Sequence, residues 1–348
     1  MPIRTILAIA TIPALLALTA SGCRQTVDES ITPPAEVVAY TALDREFSEP
    51  IYQDFEQDSG VHVRPKFDVE STKTVGLTTA IIQESQRPRC DLFWNNEILH
   101  TLRLAKLGLL DTYRAPNGAD LPANYRSADG LWHGFAARGR VLLVNTEKLP
   151  NRDDWPTSIR DLADPKRRGQ GGIARPLFGT TATHAAVLFA TWGEQPATEF
   201  FQAVKENASV ESGNRQVSIA VGRGQLAFGL TDTDDAMLEI EAGNPVAVVF
   251  PDQGDEQMGT LFIPNTVAII KNGPNPQAAQ ALVDYLLSDE VERRLAAGPS
   301  AQIPVHPDVT ERSRAMPDEP VKWMEVDFEA AADHWEATAD KMRDLFAG

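Results

Sequence analysis

Short apolar runs alternate with amphipathic stretches from residue 36 to residue 287, and this alternation constrains the fold more than any other feature of the chain. Residues 36–40 (EVVAY) read as a strand. Phe47, Ile51 and Phe55 then recur at i, i+4 and i+8, the spacing of one helix face, and Gly60 ends that helix. Residues 61–67 alternate as a strand. A helix is expected near 73–86, a strand over 91–94, and a helix carrying Leu99, Leu102, Leu104 and Leu107 that stops at Gly108. The same grammar resumes with a buried strand over 140–145 (RVLLVN), a short strand over 171–174, a helix over 182–192 and an amphipathic helix over 199–207. Strands over 225–230 and 245–250 flank a helix over 236–241; a strand over 265–271 and a helix over 276–287 follow. The acidic stretch 326–346 reads as a helix packed on the outside of one lobe. Strand–helix alternation of this kind implies an α/β fold, with parallel sheets covered by helices. No repeat and no low-complexity tract interrupts it.

The chain has 348 residues, 43% of them hydrophobic, which is long for one core and predicts two lobes. Its formal net charge is -17. Such a surface repels nucleic acid and anionic lipid, so neither is an expected partner. It tolerates a cationic ligand, although acidity by itself is ordinary in soluble proteins. The amino-terminal segment is different in kind. Arg4 precedes an apolar run over 6–18, then Ala20-Ser21-Gly22, then Cys23. This is the pattern of a secretory leader rather than a membrane span. The ending Ala20-Ser21-Gly22-Cys23 resembles a bacterial lipoprotein cleavage box, with Ala20 where Leu is more frequent; the alternative is a plain secreted chain with an incidental Cys. On the lipoprotein reading 1–22 are removed, Cys23 is acylated, and 23–35 form a flexible tether to the membrane. The mature protein is then exported to the periplasm or cell surface, away from ATP and nicotinamide cofactors. Cys90 is left without a partner, and its apolar setting (CDLFW) reads as an inert buried thiol.

In open α/β sheets, ligands sit beyond the carboxyl ends of the strands, so the segments just after strands carry the functional candidates. Thr231-Asp232-Thr233-Asp234-Asp235 crowds three carboxylates between a strand and a helix. Two such charges ~5 Å apart at an effective dielectric of about 20 repel by roughly 3 kcal/mol. A helix N-terminus returns only about 0.3–1 kcal/mol. In a closed crevice the cluster therefore needs a cation or a proton; on an open surface it is a helix cap with extra charge. Phe178-Gly179-Thr180-Thr181-Ala182-Thr183-His184 offers hydroxyls and free amides at a helix start, suited to an anionic group or simply to capping. His184 reads as a helix-face residue. Trp94-Asn95-Asn96-Glu97 at a strand end suits polar recognition against an aromatic wall, or a capped turn. Arg138 and Arg140 precede a buried strand and can clamp an oxyanion or neutralise the Asp cluster.

Taken together, VVAYTALDREFSEPIYQDFEQDSGV, CDLFWNNEILHTLRLAKLGLL, GFAARGRVLLVNT, GIARPLFGTTATHAA, QLAFGLTDTDDA and TLFIPNTVAIIKNGPNPQAAQALVDYLLS resemble extracellular solute-binding proteins, and most nearly the ferric iron-binding proteins of bacterial ABC importers. The resemblance spans about residues 36–307. It implies the two-lobed periplasmic-binding-protein fold of type II, with crossing hinge strands and a ligand cleft. Lobe 1 would comprise 36–137 and 264–308, lobe 2 138–263, and 309–348 a helical extension. The ferric family's adjacent tyrosines fall on Asp234-Asp235, its early His on or near Asp44, its cleft Glu on Glu97, and its anion-binding Arg on Arg138 or Arg140. The tyrosinate ligands are thus absent.

The resemblance implies a lipid-anchored, non-enzymatic, monomeric substrate-binding component working with a permease and an ATPase, with no cofactor. Its transported ligand would be a metal cation held by Asp44, Glu97, Asp234 and Asp235, a hard oxygen-only set, with an anion bridging to Arg138 and the threonines. Trp94, Asn95, Asn96, Arg140, Thr180, Thr181, Thr183 and Asp232 complete the expected ligand-binding residues. A phosphorylated or phosphonate solute held by Thr180, Thr181, Thr183 and Arg138 is the alternative. A polyamine against Trp94 and the Asp cluster is a third. Asp232-Thr233-Asp234 also mimics the Asp-x-Asp nucleophile motif of Mg²⁺-dependent phosphatases, but Asp235-Ala236 replaces the Gly-Thr that usually follows.

Overall fold

A computed structural model describes residues 35–68 and 74–346. The leader, Cys23 and the tether through Pro34 lie outside the described residues. Among the described residues, no helix is long and apolar enough to cross a membrane.

The alternation read from the sequence is present. β1 (Glu36–Thr41), α1 (Arg45–Ser59), β2 (His62–Phe67), α2 (Val75–Gln83), β3 (Leu92–Asn95), α3 (Leu99–Lys106) and β4 (Leu110–Asp111) come first. α1 stops where Gly60 turns to φ 70° and donates its N–H to Glu56 O, a geometry a Cβ would disfavour. Next come β5 (His133–Asn145), β6 (Gly171–Ala174), α4 (Gly179–Trp192), α5 (Glu194–Asn207), β7 (Ser209–Glu211), α6 (Asn214–Gly222), β8 (Phe228–Asp232), α7 (Thr233–Glu241) and β9 (Val246–Val249). β10 (Phe262–Ile270), α8 (Pro276–Leu286), α9 (Asp289–Ala297), α10 (Phe328–Asp333) and α11 (Trp335–Phe346) complete the order. The acidic carboxyl-terminal stretch is two helices rather than one, separated at His334.

The strands form one path, β2-β1-β3-β10-β5-β8-β6-β7, with β4 on β10 and β9 on β5. β1 is parallel to β2 and β3; β6 is parallel to β7 and β8. β5 joins these two parallel halves. Its first part pairs with β10, and from Arg140 onward it pairs with β8 and β9. Leu142 and Val144 enter one core with Phe201 and Leu230, while Val141 and Leu143 enter another with Val221. Alternate β5 side chains thus fill opposite faces, as in a strand covered on both sides. The β1–β3 half has its own core, including Tyr40, Ile51, Phe93, Leu99 and Leu282.

β5 bulges at Ala136, which takes φ 43° where the register against β10 shifts between Pro264 and Asn265. The released Ala136 N–H donates to buried Glu292 Oε1 at 2.8 Å, and Glu292 Oε2 accepts from His306 N at 2.9 Å. The carboxyl-terminal helices span both halves: α10 packs on α3 and α4, and α11 packs on α4 and α5.

Candidate functional site

Strands β1, β3, β6, β7 and β8 open by their carboxyl ends onto one cavity of about 230 Å³. Asp44 follows β1, Asn96 follows β3, Arg175 follows β6, and Asp232 ends β8. Thr180 and Thr181 enter from the first turn of α4, Asn214 from the start of α6, and Asp235 from the first turn of α7. Gly179 opens α4 at φ 55°, which brings the helix start against the cavity without a side chain. Residues from both parallel halves therefore meet at the place where such folds hold ligands.

A buried ionic network forms one wall of the cavity, with Arg138 and Asp232 both in its lining. Arg140 Nη1 donates to Asp232 Oδ1 at 2.6 Å, and Thr180 Oγ1 and Asn214 Nδ2 donate to Asp232 Oδ2 at 2.6 and 3.0 Å. Arg138 Nη1 lies 3.4 Å from Asp232 Oδ2 and 3.2 Å from Asp234 Oδ2, and its Nη2 donates to Asn96 O. Burial alone would raise the Asp232 carboxyl; Arg140 and Arg138 outweigh it and hold the group below the usual carboxylate range. Burial would likewise lower the Arg138 guanidinium, but Asp234 and Asp232 raise it above its ordinary value. Two arginines and two aspartates thus neutralise one another. Both arginines form the internal ion pair open to them in the sequence, and Arg138, unlike Arg140, also lines the cavity. The same contacts bear on the Asp-x-Asp motif: Asp232 carries four donors and is fixed, not poised for attack.

The four residues expected to hold a metal divide. Asp44 and Asp235 line the cavity. Asp234 is buried on Arg138. Glu97 does not line the cavity: its carboxylate accepts from Leu99 N at 2.6 Å, His100 N at 3.0 Å, Asn95 Nδ2 at 2.8 Å and Thr183 Oγ1 at 2.9 Å. Glu97 caps α3, satisfying two of that helix's first backbone amides. Thr183 serves Glu97, whereas Thr180 and Thr181 reach the cavity. Asn95 is buried in that cap; Asn96 lines the cavity with its Oδ1 unpartnered. Trp94 is no aromatic wall: it is fully buried between Tyr52 and Phe135, its indole N–H donating to Asn265 Oδ1 at 3.3 Å. A cation–π contact from Trp94 to a polyamine is therefore not available. His184 is buried on α4, and burial, with Arg140 beside it, lowers its imidazole to about 3.

Arg175, Ser212, Asn214 and Arg215 line the cavity but were not expected from the sequence. Ser212-Gly213-Asn214 is a turn-and-start signal ahead of the helical spacing Val217, Ala220, Val221. The strand before it, β7, has three residues and leaves no periodicity to read. Cys90 is a free buried thiol, and burial pushes its pKa up, which fits an inert role.

Residues 100–330 match the family described as bacterial extracellular solute-binding protein, whose members bind solutes and are not enzymes. The chain is 32% identical over 204 residues to iron uptake protein A2 of Synechocystis; that match spans 54% of this chain and 57% of the relative. Iron-bound HitA from Pseudomonas aeruginosa superimposes with a TM-score of 0.77 at 23% identity, over 90% of this chain and 100% of that one. AfuA from Actinobacillus pleuropneumoniae with fructose-6-phosphate bound gives a TM-score of 0.77 at 25% identity, over 90% and 99%. The fold is the two-lobed periplasmic-binding architecture that the sequence implied.

Proposed function

The chain belongs to the bacterial extracellular solute-binding proteins, and from that premise we propose that it is the receptor of an ABC uptake system that captures a metal cation together with a bridging anion. The observation that carries this reading is the approach of Asp44 and Asp235, from opposite sheet halves, to one cavity that also receives the starts of α4 and α6. Two carboxylates supply hard oxygen ligands. The backbone amides of Thr180 and Thr181, in the uncapped first turn of α4, supply the anion end. Iron uptake in the relative from Synechocystis supports iron as the cation.

A phosphorylated solute is the second reading. Arg175 and Arg215 at the same cavity favour it, as does the sugar phosphate bound in AfuA. In that case the phosphate occupies the anion end and ligand hydroxyls meet Asp44 and Asp235.

Metal-stripped protein titrated with ferric iron, manganese or calcium, and separately with a sugar phosphate, tests both. At a hundredfold excess over Kd a ligand stabilises the fold by about 2.7 kcal/mol. The metal reading expects that stabilisation with a metal and its loss in Asp44→Asn with Asp235→Asn. Stabilisation by the phosphate without metal, lost in Arg175→Glu, selects the second reading.

Closure would bring together lobe 1 (36–137 and 264–308) and lobe 2 (138–263), with 309–348 lying across both. The change of β5 partners at Gly139–Arg140 supports that division. The leader pattern supports export and anchoring through acylated Cys23, with the mature protein acting as a monomer on its permease and ATPase. Cys23→Ala should release it from the membrane fraction.

A further inference from the structure

A second cavity, of about 490 Å³, lies in the β1–β3 half, away from the site described above. Among the described residues its ionisable lining is Arg114, Arg126 and His133, with no carboxylate. In a chain of net charge -17, a concave site holding only cationic and imidazole groups is the exception. The fold builds it deliberately. Arg126 and His133 face each other across an antiparallel bridge at the start of β5, the two ends of a turn closed by Ser127 N donating to Trp132 O at 3.0 Å. Directly opposed residues share one face of the ladder.

His133 is 6% exposed, and no hydrogen-bond partner for its ring occurs among the described residues. Gly118 makes room for the His133 ring: a Cβ there would meet its Cδ2 at 2.4 Å, so the ring sits against the glycine and lines the cavity. Arg126 donates one Nη1 to Ala119 O at the rim, which fixes the guanidinium and leaves its other donors uncommitted. Arg114 has no ion-pair partner among the described residues. Burial, and then Arg126, lower the His133 imidazole to about 4, so the ring is neutral at pH 7 and offers one N–H donor.

We propose that Arg114, Arg126 and His133 form a second binding site, for a small multivalent oxyanion of the phosphate or polycarboxylate class. Two guanidiniums supply charge-assisted bonds in a fixed fork geometry, and the neutral imidazole N–H adds a third donor. The proposal does not depend on which ligand the cleft takes.

The test uses the full chain carrying Arg175→Glu, which repels anions from the cleft. Inorganic phosphate and citrate are titrated separately, with His133 side-chain NMR resonances and calorimetric affinity as readouts. One bound anion per chain with displaced His133 resonances is expected. Arg114→Gln, an exposed change, should weaken binding roughly tenfold or more. A response to phosphate alone assigns phosphate and its monoesters; a response to citrate alone assigns polycarboxylates. Unmoved His133 resonances with both anions, or affinity unchanged in Arg114→Gln and Arg126→Gln, overturn the proposal. Failure of the cleft reading is seen separately, as absent ligand stabilisation in the chain without Arg175→Glu.

Discussion

Thr183 Oγ1 donates to Glu97 Oε2 at 2.9 Å with both side chains buried, and so ties the second turn of α4 in one sheet half to the cap of α3 in the other. Glu97 keeps three further donors if Thr183 is lost, so the bond acts as a link between halves rather than as Glu97's only support. Thr183→Val preserves the volume and removes the donor. The expected cost is about 1–2 kcal/mol, read by urea denaturation of the ligand-free protein.

Asp232 and Asp235 are three residues apart and chemically identical, yet their substitutions should behave differently. Asp232→Asn breaks one arm of a buried ionic network and leaves Arg140, which is fully buried, without its carboxylate. Removing one partner of such a pair costs about 3–5 kcal/mol. Asp235 lines the cavity and is half-buried. Its substitution by Asn should cost well under that in denaturation, while weakening cation binding by an order of magnitude or so. Equal stability losses in the two variants would contradict the division of roles.

These two cases mark what the sequence made legible. The acidic quintet's place between a strand and a helix followed from the apolar run before it, as did α1 from its i, i+4, i+8 spacing and Gly60. Which aspartate is locked and which faces ligand was not legible, because it is set by Arg140, 92 residues away across the β5–β8 ladder. Glu97 illustrates the same limit: capping and metal ligation use the same side chain at the same strand end, and only the positions of Leu99 N and Thr183 decide. β5 extends seven residues before the expected run at Arg140, because Gly134, Gly139 and Arg138 hide the buried strand from a hydropathy reading. The missed Asn214 and Arg215 follow a strand too short to show a period.

Acid should destabilise the fold through its buried histidines. Burial is the leading cause that lowers His133 to about 4, His184 to about 3, and His100 below its ordinary value of 6.5. The folded chain therefore holds these rings neutral while the unfolded chain takes up protons near pH 6.5. Their contribution is fully present above that pH and is lost as pH falls toward 4 and below. The expected slope is about 1.4 kcal/mol per pH unit for each ring. Urea denaturation at steps from pH 7 to pH 4.5 measures it, and His184→Gln should flatten the profile by one ring's share.

Glu292 should control the bulge where the crossing strand begins its passage between halves. Its carboxylate is buried, with burial raising its pKa, and it accepts from Ala136 N on one oxygen and from His306 N on the other. Glu292→Gln keeps the shape but offers only one acceptor. If the amide oxygen serves Val305 and His306, the amide nitrogen meets the Ala136 N–H donor to donor, and the bulge loses its partner. The expected cost is roughly 1–3 kcal/mol in denaturation, accompanied by faster hydrogen exchange at the Ala136 amide. Ala136→Gly relaxes the φ of 43° without touching the acceptor, so it should leave that exchange rate near the wild-type value. If Glu292→Gln leaves the Ala136 amide as protected as before, the bulge is held by the β10 register alone.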